Sequence, residues 1–92
     1  MGLLFEWDRE KAEANLRKHG VGFAEAATVL LDPLSLTIAD PDHSDVEDRY
    51  VALGWSGRGR LLAVVHTDHA DCIRIISARL ASRRERRVYE GH

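Results

Sequence analysis

Positive charge is concentrated in RIISARLASRRERRVYE, residues 74–90. Arg79, Arg83, Arg84, Arg86 and Arg87 fall within nine positions of a chain whose formal net charge is −2. So tight a cluster in a mildly acidic protein points to an anionic partner, and an RNA backbone is the reading adopted. Arginine suits phosphate because it is always charged and its planar fork can grip two oxygens together. The other half of such chemistry is a group that moves protons near neutral pH, which is the province of histidine. Lys18-His19 is the preferred pair, with His43 and His66 as rivals.

These residues must be positioned by local structure. Leu3 to Trp7 reads as a first strand. Asp8 is a good helix N-cap, and the helix runs through KAEANLRKH to Gly20, which can take the left-handed position after the last turn. Lys18 and His19 then lie where the helix dipole favours positive charge. Ala12 and Leu16 mark its inner side, while Lys11, Asn15 and Lys18 form another stripe. A second helix spans Phe23 to Leu30 or Leu31, with Phe23, Ala26, Ala27 and Leu30 as its apolar face, and Asp32-Pro33 stops it. LSLTIA, 34–39, alternates as a half-buried strand, and DPDHSDVED, 40–48, is a loop by composition.

Residues 49–56, 60–67 and 72–78 form an antiparallel meander with short turns. Ser82 opens S-x-x-E with Glu85, a capping box that starts a last helix over 83–90. If the turns are Gly57–Gly59 and Asp68–Asp71, Arg60 lies opposite both Ser56 and Arg79. Ser56, Arg60, Ser77 and Arg79 then share one face, a phosphate cradle, while Arg49 and Arg74 project from the other. The grouping depends on register, since one residue of slip reverses it. The fold class expected is α+β, a single domain over residues 1–92. An antiparallel sheet of four to five strands carries two N-terminal helices and a short C-terminal helix.

Ninety-two residues allow one core, and an apolar fraction of 45% argues for a folded globule. One cysteine, Cys72, excludes an internal disulfide and fits a reducing compartment. The start, MGLLFEWDRE, has the pattern of neither a signal peptide nor a membrane span, so the expected location is cytoplasmic, with no membrane partner. Residues 1–57 carry a net −6 and residues 58–92 a net +4, which sets a basic functional face apart from an acidic segment.

Several motifs occur in order. They are FEWD at 5–8, K-x-x-x-N-x-x-KHGV at 11–21, F-x-E-A at 23–26, LDP at 31–33 and D-x-x-HS ending at Ser44. E-x-R at 47–49, G-x-S at 54–56, GR at 59–60 and RIISAR at 74–79 follow. Together, over residues 5–90, they resemble the BrnT toxin family. The resemblance implies a RelE-like ribonuclease toxin of a type II toxin–antitoxin system that arrests growth by cleaving RNA. It also implies a BrnA-type ribbon-helix-helix antitoxin, operator DNA contacted only through that antitoxin, and repression of the shared operon. A homodimer or a heterotetramer with antitoxin would suit such a system. Two departures stand out: Arg9 where the family often has a helix-initiating Pro, and His69 to Cys72 where Glu, Arg and Gly are frequent.

Cleaving RNA without a metal requires three groups. A base takes the 2′-hydroxyl proton, a cation stabilises the phosphorane, and an acid protonates the leaving 5′-oxygen. His19 and Lys18 are assigned to protons and charge, and Arg60 and Arg79 to the phosphate. Arg49, Arg74, Ser56, Ser77, Arg83 and Tyr89 are assigned to binding. Each has a plainer reading beside it. His19 can simply cap a helix dipole, Arg60 and Arg79 can pair with carboxylates, and Tyr89 can anchor the last helix. Arg74, between two isoleucines, must meet a carboxylate, a ligand or water. Trp7 and Trp55 read as core, His43 as a turn residue, His66 as packed. No cofactor is expected, and the one metal candidate, His43 with Asp40, Asp42 and Asp45, matches no established loop. A catalytically degenerate toxin that only binds antitoxin or nucleic acid is the alternative.

Overall fold

The computed structural model describes residues 4–40, 49–69 and 71–91. Its order is β1 (Leu4–Glu6), α1 (Arg9–His19), α2 (Phe23–Leu31), β2 (Leu36–Ala39), β3 (Arg49–Trp55), β4 (Leu61–His69), β5 (Cys72–Leu80) and α3 (Arg83–Glu90). The five strands form one sheet in the order β1-β5-β4-β3-β2. The class is α+β as expected, but β1 runs parallel to β5, so the sheet is mixed. The two are far apart in sequence: both N-terminal helices and the antiparallel run β2-β3-β4 separate them, and its successive reversals bring β5 beside β1 in the same direction.

The helix ends follow the sequence rules. Asp8 accepts from the backbone N–H of Glu10 at 2.8 Å, and Gly20 takes φ 70 after the last turn of α1. Ser82 and Glu85 form the capping box that starts α3. Helices α1 and α2 cover one face of the sheet, where Val21, Phe23, Ala26 and Val29 pack on Ala52, Leu62, Val64, Ile75 and Ala78. Gly54 permits the approach of α2, because a Cβ there would stand 3.1 Å from Val29 Cγ1. Helix α3 lies on the second face, where Tyr89 packs against Val51, Leu53 and Ala63.

The inner side of α1 differs from expectation. Leu16 is 54% exposed, whereas Asn15 is 7% exposed. The Asn15 amide donates to the carbonyls of Val21 (2.9 Å) and Ala78 (2.8 Å) and accepts from Ala78 N–H at 3.1 Å. Pairing of β1 with β5 extends only from Cys72 to Arg74. Beyond that the Asn15 side chain takes the place of a strand on the edge of β5, satisfying groups that burial would otherwise strand. The two tryptophans are marginal to the core. Trp7 meets Phe23 edge-on at 6.0 Å, and Trp55 lies under the Arg86 guanidinium.

The first hairpin has the expected register, with Ser56 N–H donating to Arg60 C=O at 2.8 Å. The second does not. Strands β4 and β5 extend to His69 and Cys72, so the connection is two residues long, and Arg79 pairs with Ala63 instead of Arg60. Between Val65 and His66 the ladder shifts: Val65 pairs with Ser77, His66 with Ile75, and Ile76 is the extra residue of a bulge. Arg74 and Arg79, an odd number of residues apart, would point to opposite faces of a regular strand. The bulge returns them to the same one.

Candidate functional site

Glu25, on α2, is the centre of one polar network. Its side chain is only 7% exposed and receives Ser56 Oγ–H at 2.7 Å and Arg60 Nε–H at 3.0 Å. A second Arg60 nitrogen donates to the other carboxylate oxygen and, at 3.0 Å, to Gly20 C=O. Hydrogen bonds from Arg60, aided by Ser56, hold the Glu25 carboxyl below its usual range against the opposing effect of burial. Arg58, largely solvent-exposed, stands 3.8 Å from the same carboxylate, too far and too wet to add much. This network fixes the β3–β4 turn against the end of α1.

Arg79 forms a second, separate pair. Its two terminal nitrogens donate to the two oxygens of Glu85 at 2.6 and 2.9 Å. The Glu85 carboxyl falls to about 2, chiefly through these bonds. The same carboxylate accepts Ser82 N–H, so one side chain both caps α3 and ties it to the sheet.

The register decides which expected partners meet. Ser56 and Arg60 do come together, at Glu25 beside α2. Ser77 and Arg79 do not join them: the bulge turns both to the α3 face, with Ala63 and Val65. Arg49 and Arg74, expected opposite Arg79, share its face, in one row with Thr67. The single cradle of four is therefore corrected to two carboxylate-bound arginines on opposite faces. Arg74 meets Glu6 at 3.7 Å across the β1–β5 ladder. Tyr89 is half-buried against the sheet, as an anchor of α3.

Two hydrogen bonds nevertheless gather three distant segments at one end of the sheet. Arg60 reaches Gly20 C=O, next to Lys18-His19 in the basic last turn of α1. Ala81 N–H donates to Leu61 C=O at 2.9 Å, bringing the β5–α3 corner alongside the residue that follows Arg60. Arg17, Lys18, His19, Arg58, Arg60, Arg79 and Arg83 thus arrive from three parts of the chain. Arg49 and Arg74 lie toward the other end, four rows along β4 from Ala63, or about 13 Å.

His66 is packed, 3% exposed, with its ring 5.9 Å from that of Tyr50. Burial lowers its pKa despite Asp68 Oδ1 at 3.3 Å from Nδ1, a contact not aligned as a hydrogen bond. His43, Asp42 and Asp45 lie outside the described residues. Among the described residues no group of three His, Cys, Asp or Glu is placed to hold a metal, and no helix is long and apolar enough to cross a membrane. Of the carboxylates that organise the arginines, Glu25 has no assigned role in the sequence and Glu85 only that of a helix cap. Both stood in recognised motifs, F-x-E-A and S-x-x-E, whose second use became visible only with the strands paired.

Residues 7–85 match the family described as the ribonuclease toxin, BrnT, of type II toxin–antitoxin systems. The chain belongs to the BrnT family. The crystal structure of the Brucella abortus ribonuclease toxin, BrnT, is similar, with a TM-score of 0.66 and 26% identity over 90% of this chain and 99% of that one. No curated protein sequence matches. Membership of the BrnT family makes the chain a ribonuclease toxin by class, with RNA as its target and an antitoxin as its partner by class.

Proposed function

We propose that the chain cleaves RNA at the basic end of its sheet as a metal-independent endoribonuclease. The observation that carries this is the convergence of the last turn of α1, the β3–β4 turn and the β5–α3 corner, each cationic. RNA follows such a surface through its phosphates. His19 takes the 2′-hydroxyl proton as that oxygen attacks phosphorus and passes it to the 5′-oxygen as the P–O5′ bond breaks, leaving a 2′,3′-cyclic phosphate. Lys18 stabilises the phosphorane. Arg58 and Arg83 meet the flanking phosphates. Arg60 and Arg79, each held by a carboxylate, act by fixing their segments, while Ser77, Arg74 and Arg49 lie on the α3 face outside the path of the RNA. The antitoxin is of the BrnA type, and the pair represses its own operon.

A second reading has its own support. The two arginines that would form a phosphate cradle are both already neutralised, by Glu25 and Glu85. A degenerate toxin that keeps only its binding role would have this arrangement. RNA cleavage by the isolated protein in EDTA separates the two, using wild type, His19→Ala, Arg79→Ala and Arg60→Lys. Cleavage that falls at least a hundredfold in His19→Ala supports the first reading. Cleavage that survives both alanine substitutions overturns the site assignment, and an inert wild type leaves the binding module. Arg60→Lys keeps the charge but loses the fork, so it should cost activity if the geometry of the turn matters.

A further inference from the structure

A groove of about 440 Å³ runs between β2, the outer strand of the sheet, and α3. Its apolar part is Ile38, Val51, Leu53 and Val88. Ile38 and Val88 remain 39% and 45% exposed, so the helix does not close over the strand. Helix α3 has no fully buried residue of its own. It is held at its start by Glu85 and farther along by Tyr89, with this unfilled space beside it.

We propose that this groove receives the antitoxin, through a segment that inserts large aliphatic side chains and flanks them with carboxylates. The inference rests on membership of a toxin–antitoxin family, not on the cleavage reading. Charge argues for the occupant. Two carboxylates, Asp40 and Glu85, line the groove beside Arg79 and Arg84. Glu85 stays ionised at any pH near neutral because Arg79 grips it, which also uses up the Arg79 charge. The two acids and two arginines of the lining balance, so no net charge draws a phosphate in, whereas an aliphatic side chain gains from the apolar floor. Outside it, Arg83 and Arg87 are exposed along α3 with few acids to answer them. An apolar centre with a cationic rim fits an acidic amphipathic segment.

The test measures binding of the antitoxin from the toxin's own operon to Ile38→Glu and Val88→Glu. Both positions are solvent-exposed, so each variant should keep the wild-type circular dichroism and melting curve. The expected result is at least tenfold weaker antitoxin binding, with RNA cleavage or retention by the isolated toxin within twofold of wild type. Antitoxin affinity within twofold of wild type would overturn the proposal, as would a wild type that does not bind this antitoxin. Loss of RNA binding with antitoxin binding intact would assign the groove to RNA instead. Should either variant misfold, Val88→Cys in a Cys72→Ser background gives a second measurement. Antitoxin should slow maleimide labelling of that cysteine at least tenfold and an RNA oligonucleotide should not; no protection, or equal protection by RNA, overturns the assignment. Wild-type RNA cleavage is scored separately, so failure of the ribonuclease reading leaves this result interpretable.

Discussion

Asn15 shows how one polar side chain can replace a strand. Its amide meets both backbone groups of Ala78 on the edge of β5 and the carbonyl of Val21 behind α1. Truncating it would leave three buried backbone groups unpaired, each with a desolvation penalty of its own. Asn15→Ala should therefore destabilise the fold by about 2–4 kcal/mol in urea unfolding, well beyond an average surface change. A cost near the few tenths expected of an exposed helix position would mean that water replaces the amide. In the sequence Asn15 sat on a polar stripe and Leu16 on the apolar one. Periodicity ranks positions by hydrophobicity, so it could not see that the buried neighbour was an unpaired strand edge, which favours an amide over a leucine.

At the scale of elements, what depended on local signals was legible. The caps at Asp8, Gly20 and Ser82, the bounds of α3 and the register of the first hairpin follow from residues close in the chain. The second hairpin was not legible, because a bulge at Ile76 leaves no mark in a run such as CIRIISARL and reverses every side chain beyond it. That reversal is why Arg79 meets Glu85 rather than Arg60. It also makes the attachment of α3 dependent on pH. The Glu85 carboxyl is lowered in the folded state from an ordinary 4.5 to about 2. Its contribution is therefore complete above pH 4.5 and is lost as the pH falls toward 2, because the unfolded chain takes up the proton first. The shift alone corresponds to about 3–4 kcal/mol, which solvent screening of the partly exposed Arg79 reduces to roughly 2–3 kcal/mol. Glu85→Gln keeps a capping side chain but not the charge. It should be less stable than wild type by about that amount at pH 7, and the gap should narrow steadily between pH 4.5 and pH 3. A gap that is the same at both ends would show that the ion pair contributes nothing and the change lies in packing.

Over the whole molecule, charge is sorted by position more than by amount. The formal net charge is only −2, so attraction of the protein as a whole to RNA is not expected. What can attract RNA is the local field where α1, the β3–β4 turn and the β5–α3 corner meet. Arg60 and Arg79 contribute little to it, since Glu25 and Glu85 neutralise them within hydrogen-bonding distance. Arg17, Lys18, Arg58 and Arg83 are the exposed cations left to face phosphate there. Four contacts on a single strand predict a slope of about −2.8 for the logarithm of the binding constant against the logarithm of salt concentration. Arg58→Ala and Arg83→Ala should each make that slope shallower by about 0.7. Arg74→Ala should leave it nearly unchanged, because Arg74 lies about 13 Å along the sheet from Arg79 and stands beside Glu6. The comparison of the three variants decides between two pictures. Equal losses would mean that RNA is drawn to scattered positive charge on every face. A loss confined to Arg58 and Arg83 would mean that three short segments, distant in the chain, act as one binding edge because two backbone carbonyls, Gly20 and Leu61, hold them together.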